Sequence, residues 1–166
     1  MKSGDTHSVP GWCRGIAVVG DKIYVGGYSG EIYILSKQGE TITTITVPGG
    51  WINYLHPGPQ DSVYYTDSYN NTVGCVKLSG EVPFTCKPEN FNRPRAVTTD
   101  RGGNLYVACM DSNNIHRLSA DGNVIDVILD HDEKISQPWG LAFSKNYRNF
   151  FVTNDCGKSV FVFSCS

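Results

Sequence analysis

Apolar residues in this chain fall into short runs broken by glycine, aspartate, serine or asparagine, and no run keeps a helical spacing. One phrase returns along the chain. It reads Ile23-Tyr24-Val25-Gly26-Gly27-Tyr28, then Val63-Tyr64-Tyr65-Thr66-Asp67-Ser68, then Leu105-Tyr106-Val107-Ala108-Cys109-Met110, and last Phe150-Phe151-Val152-Thr153-Asn154-Asp155. Val25, Tyr65, Val107 and Val152 are equivalent, at separations of 40, 42 and 45 residues. That is the period of a propeller blade. A plain antiparallel sandwich would not explain the recurrence.

Turn residues divide each repeat into strands named a to d. The first repeat predicts strands at 15–19, 22–26, 31–35 and 41–47, with turns at Gly20-Asp21 and Gln38-Gly39. The second predicts 52–56, 63–66, 73–77 and 82–86, with Ser79-Gly80 between c and d. The third predicts 96–99, 105–108, 115–118 and 124–129, turning at Arg101-Gly102-Gly103 and Asp121-Gly122. The fourth predicts 140–143, 150–153 and 160–163, without a d strand. The a and b runs are nearly continuously apolar, which predicts inner strands buried on both faces. The c and d runs alternate more, as at Ile42-Thr43-Thr44-Ile45, which predicts outer, half-solvated strands. The expected organisation is a tail over 1–10 and blades over about 11–50, 51–92, 93–136 and 137–166.

Composition narrows the functional classes. The formal net charge is −2 over 166 residues, which argues against a non-specific nucleic-acid binder. No stretch is long and apolar enough to span a bilayer. Met1 to Gly11 has no apolar core of a signal peptide, so the expected location is cytoplasmic, with no membrane partner. The six cysteines then read mainly as free, buried thiols. Cys156 and Cys165 could pair in an extracellular setting, where the sequon Asn70-Asn71-Thr72 would also matter.

The residues also carry a family resemblance. Tyr65-Thr66-Asp67-Ser68-Tyr69-Asn70-Asn71-Thr72-Val73 resembles the heart of the NHL repeat, as do Asn104-Leu105-Tyr106-Val107-Ala108, Pro94-Arg95-Ala96-Val97, Pro138-Trp139-Gly140-Leu141-Ala142 and Leu118-Ser119-Ala120-Asp121-Gly122. The likeness runs from Gly11 to about Phe163. It implies an all-β propeller of the NHL, six-bladed TolB-like type, here with about four blades, incomplete or open. NHL propellers form the C-terminal binding domain of many tripartite-motif ubiquitin ligases, where they bind protein or RNA. Related propellers include amidating lyases and gluconolactonase-type hydrolases. This sequence has no ring or B-box pattern. Thr6 to Val9 offers at best a short closing strand, and open sheet edges imply a capacity for self-association.

In such a fold the d–a and b–c connections share one face, where recognition is expected. That face is predicted to present Arg14, Trp51, Arg93, Arg95 and Trp139 near the starts of the a strands, with Tyr69 and Asn113 in b–c loops. Arginine and tryptophan there suit a protein ligand. The same set could hold single-stranded RNA, with guanidiniums on phosphates and rings on bases. The acidic run Asp130-His131-Asp132-Glu133 on this face, and the negative charge, favour protein. Asp67 at the end of a b strand is expected to accept backbone N–H groups of its turn.

A lyase- or hydrolase-like enzyme would need converging metal ligands or a nucleophile and base. Of the four histidines, His56 alone falls on an inner strand, with His116 on a c strand and His7 and His131 elsewhere. The expectation is therefore a binding module without catalysis, metal or cofactor.

Overall fold

The structure, a computed structural model, describes residues 6–165. Each repeat folds into one antiparallel sheet, paired in chain order. The first sheet holds β1 (Cys13–Val19), β2 (Lys22–Gly27), β3 (Glu31–Ser36) and β4 (Thr41–Thr46). The second holds β5 (Ile52–Pro57), β6 (Ser62–Asp67), β7 (Thr72–Lys77) and the short β8 (Phe84–Cys86). The third holds β9 (Pro94–Thr99), β10 (Leu105–Cys109), β11 (Asn114–Leu118) and β12 (Val124–Leu129). The fourth has three strands, β13 (Leu141–Phe143), β14 (Asn149–Asn154) and β15 (Ser159–Ser164), with a 3-10 turn at Asp155–Gly157.

The hairpins that join the third and fourth strands are built alike. Gly39, Gly80 and Gly122 have φ of 83°, 86° and 88°. Their N–H groups donate to the carbonyls of Ser36, Lys77 and Ser119, each at 2.9 Å. A left-handed φ strains any residue with a Cβ, so glycine fixes these turns and, through them, strand register.

Sheets stack through their first strands, β1 beside β5, β5 beside β9 and β9 beside β13. Three cores fill the spaces between them. Tyr24, Ile32, Ile34, Leu55, Val63 and Tyr65 pack between sheets one and two. Tyr64, Phe91, Val97, Leu105, Val107 and Leu118 pack between sheets two and three. Ala108, Ile115, Ile135, Leu141, Phe150 and Val152 pack between sheets three and four. A fully buried large side chain contributes roughly 1.5–3 kcal/mol, against about 0–1 kcal/mol for an exposed ion pair. The cores therefore hold the fold, and the surface pairs are secondary.

Two burial expectations need correction. The c strands β3 and β7 are not half-solvated: Ile32, Tyr33, Ile34 and Leu35 of β3 are all buried, as are Val73, Gly74, Cys75 and Val76 of β7, whereas β15 alternates as expected. Neighbouring sheets and their connections cover these strands: Ile32 and Ile34 pack in the core between sheets one and two, and Val73 and Cys75 in the core between sheets two and three. The inner strand β1 is instead half exposed. Ile16 and Val18 point away from the second sheet, on the same side as Val25 and Ile23, and no other sheet covers them. Val160 and Val162 of β15 are exposed in the same way on the far side of the fourth sheet.

Thr6 to Val9 form no strand. The His7 ring fills the space that a Cβ at Gly39 would need. The first five residues of the expected tail lie outside the described residues. All six cysteines are free, but only Cys75 and Cys109 are buried: Cys13 and Cys86 are half-buried, and Cys156 and Cys165 are exposed. Among the described residues, no helix is long and apolar enough to cross a membrane.

Candidate functional site

Three inner strands carry a β-bulge at the same place. In β1 the extra residue is Arg14, between Cys13 paired with Gly27 and Gly15 paired with Gly26. In β5 it is Asn53, between Ile52 paired with Asp67 and Tyr54 paired with Thr66. In β9 the pair Arg95-Ala96 stands against the single Ala108. A bulge re-aims the side chain it carries. Trp139 takes the corresponding place ahead of Gly140 in the fourth repeat, held by its N–H to the Thr153 carbonyl at 2.9 Å. Arg14, Asn53, Arg95 and Trp139, one from each blade, line a single cavity of about 230 Å³ together with Tyr54.

Arg95 departs from the expectation of an exposed loop arginine. It is 6% exposed, because the bulge turns it inward and Trp139 covers it. Its guanidinium lies 4.2 Å from the centre of the Trp139 ring. Among the described residues Arg95 forms no salt bridge, and its Nε has no hydrogen-bond partner. Burial first, then the positive charges of Arg93 and Arg14, push its pKa down. Asn53 donates Nδ2–H to Ser68 Oγ, which leaves its buried Oδ1 without a partner.

A ladder of rings runs beside this cavity. Trp12 meets Tyr28 at 6.4 Å between centroids, Tyr28 meets Trp51 at 5.3 Å, and Trp51 meets Tyr69 at 5.7 Å. Arg14 sits over Tyr28 at 5.0 Å and Trp51 at 5.8 Å, so it belongs to the ladder and the cavity together. Trp12, Trp51 and Tyr69 are exposed.

Asp67 holds the ladder in place. Its fully buried carboxylate accepts N–H bonds from Trp51 at 3.1 Å, Tyr69 at 2.9 Å and Asn70 at 3.2 Å through Oδ1. Oδ2 accepts from Gly50 N–H at 2.6 Å and Asn70 Nδ2 at 2.8 Å. A Cβ on Gly49 would come within 2.7 Å of Oδ2, so the loop packs this closely only with glycine there. The equivalent residues are not acids. Asn154 Oδ1 accepts from Ser136 N–H at 2.8 Å while its Nδ2 donates to the Lys134 carbonyl. Burial pushes the thiol of Cys109 well up, which keeps it protonated.

The remaining predicted residues do not join this set. Arg93 reaches Asp111 at 3.6 Å, and its N–H donates to Asn71 Oδ1 at 2.7 Å. Asn113 repeats that clamp one blade on, accepting Gln137 N–H at 2.8 Å. It borders a separate polar cavity of about 490 Å³ with Asn90, Asn92, Asp130 and His131. His56 shares a 3.1 Å hydrogen bond with Thr99 Oγ1. Among the described residues no three His, Cys, Asp or Glu side chains gather as a metal site. Sequence reasoning missed Trp12, Tyr28 and Asn53. Asn53 stands where the neighbouring repeats have Arg14 and Arg95, and Tyr28 lies in the loop equivalent to that of Tyr69, so repeat alignment carried a signal for these two.

No family model and no curated protein matches this chain. Solved structures do. Virginiamycin B lyase from Staphylococcus aureus with quinupristin matches at TM-score 0.72 and 18% identity, over 92% of this chain and 55% of that one. A streptogramin B lyase matches at TM-score 0.73 and 14% identity, over 96% and 58%. The computationally designed Ika4 protein matches at TM-score 0.75 and 14% identity, over the whole of each chain. The fold is a β-propeller. The chain spans little more than half the length of the lyases, 55% and 58%. These likenesses support a propeller in general and single out neither the NHL nor the tripartite-motif type. The expectation of a protein without catalysis is corrected: the similar solved structures include lyases, so this is an architecture on which enzymes are built. At such identity the likeness carries the fold alone and assigns no catalytic residue here.

Proposed function

We propose that the loop face of the first two blades recognises a protein or peptide ligand. The observation that carries this reading is the exposed ladder Trp12–Tyr28–Trp51–Tyr69 with Arg14 laid across it. Rings and guanidiniums of this kind dominate protein hot spots. Here Asp67 fixes the backbone of two of the rings, so little side-chain and loop freedom is lost on binding. The test is panning of a displayed random-peptide library on the purified chain. Enriched peptides should bind a Trp51→Ala, Tyr69→Ala double variant at least roughly tenfold more weakly, with its thermal unfolding close to unchanged. Equal binding to the double variant would move recognition away from this face.

A second reading is lyase chemistry on the same face, supported by the likeness to lyases, one of them solved with quinupristin. Incubation with quinupristin, followed by chromatography, tests it. A new peak that depends on the protein supports turnover, and an unchanged profile after long incubation removes the reading for that substrate.

A further inference from the structure

The cavity at the inner rim gathers two guanidiniums and offers them no acid. Arg14 and Arg95 reach it from β1 and β9, while Asp111, whose charge acts on Arg95, is engaged by Arg93. A buried charge is costly unless it is paired and hydrogen-bonded. The stack on Trp139 offsets only part of that cost, since a cation–π contact is weak beside the desolvation of a buried charge. The planar guanidinium of Arg95, stacked by its face, keeps its N–H edge for a second partner. Asn53 adds to the set. An amide's O and N are assigned from its hydrogen-bond network, and with the two exchanged Ser68 Oγ donates to Oδ1 and an N–H₂ donor is freed beside the cavity.

We propose that this cavity is an anion clamp that takes a carboxylate of a peptide ligand, an Asp or Glu side chain or a C-terminus, between Arg95 and Arg14. The proposal rests on the recognition face proposed above and names what that face reads. Arg14 connects the two parts, so a carboxylate in the cavity places the neighbouring group of the ligand against Tyr28 and Trp51. A planar two-oxygen acceptor matches the arginine fork. The space of about 230 Å³ fits one such group with a short stem. Phosphodiester chains fit less well, because successive phosphates would run on across a face that carries Asp130 and Asp132 in a chain of net charge −2.

The experiment uses the full chain and two small probes, N-acetyl-tryptophan and its neutral amide, in isothermal titration calorimetry. The acid should bind at least roughly tenfold more tightly than the amide, since charge-assisted hydrogen bonds are the stronger kind. Arg14→Gln, at an exposed position, should bring the two affinities together in protein that still unfolds cooperatively. Trp51→Ala should weaken acid and amide alike and leave their ratio. Arg95→Gln should repeat the Arg14→Gln result in protein that still unfolds cooperatively. Equal binding of acid and amide to the native chain overturns the clamp and leaves the recognition face standing. Binding of neither probe overturns the clamp, and the peptide panning above decides the recognition face by itself. A single-stranded oligonucleotide that displaces the acid at matched phosphate concentration overturns the peptide assignment in favour of nucleic acid.

Discussion

Asp67 and Asn154 close the second strand of their blades at the same position, yet they hold opposite kinds of loop. Five N–H groups converge on the carboxylate in the second blade, and two of them belong to ladder residues. In the fourth blade one donor and one carbonyl face the side chain, a match for an amide. An all-donor environment selects an acid, and a mixed one selects asparagine. The acid version gathers more of the backbone, and it is the version that displays aromatic rings. The polar version sits in the half of the face where Asn90, Asn92, Asn113 and Asp130 border the larger cavity.

Exchanging these two residues gives the largest expected effect. Asp67→Asn turns an N–H₂ group toward groups that already donate, and unsatisfied buried donors cost about 1–3 kcal/mol each. A loss of about 3 kcal/mol or more in urea unfolding is expected, with weaker peptide binding as the Trp51 and Tyr69 backbones loosen. Asn154→Asp sets a carboxylate against the Lys134 carbonyl and should cost about 2 kcal/mol. If either variant unfolds within about 0.5 kcal/mol of the native chain, donor matching does not explain the difference between the blades.

Acid should act on the middle of the molecule next. Burial pushes the imidazoles of His56 and His116 below their ordinary value of 6.5, and for His116 the Asn90 carbonyl opposes the shift. The unfolded chain then binds protons that the native chain refuses. This contribution to stability is complete above pH 6.5 and is lost as pH falls from 6.5 through the lower native values. Urea midpoints at about pH 8 and about pH 5.5 should differ in that sense, and His116→Gln should shrink the difference. The smallest effect belongs to Arg117 and Asp126, paired across β11 and β12 at 2.9 and 2.6 Å. Both are partly exposed, so Asp126→Ala should cost no more than about 1 kcal/mol by the same urea assay.

Most strands were legible because the repeat phrase aligns the b strands and turn glycines mark the hairpins. The role of Asp67 was legible too, since an acid followed by Ser68, Tyr69 and Asn70 is a turn former. What alternation cannot show is which neighbour covers a face. It therefore placed Ile32 and Ile34 in a half-wet strand and Ile16 in a dry one, the reverse of their burial. A bulge leaves no mark in apolar periodicity, so the inward turn of Arg95 and the presence of Asn53 in the cavity were hidden. Trp12 was passed over because it precedes the first strand, although it stands two residues before Arg14 as Trp51 stands two before Asn53.

The three cores join the sheets in a line, each sheet sharing a core only with its neighbours in the chain. Cooperativity in such an array passes from neighbour to neighbour and fades toward the ends. The inner blades, bounded by a core on each side, should open only with the whole molecule, while β15 and β4 fray on their own. Native-state amide exchange would then read as a gradient, slowest in β6 and β10 and fastest at the two outer strands. A ligand lying over the first two blades would shift protection toward the start of the chain. Its footprint would thus be visible in exchange rates well beyond the residues it touches.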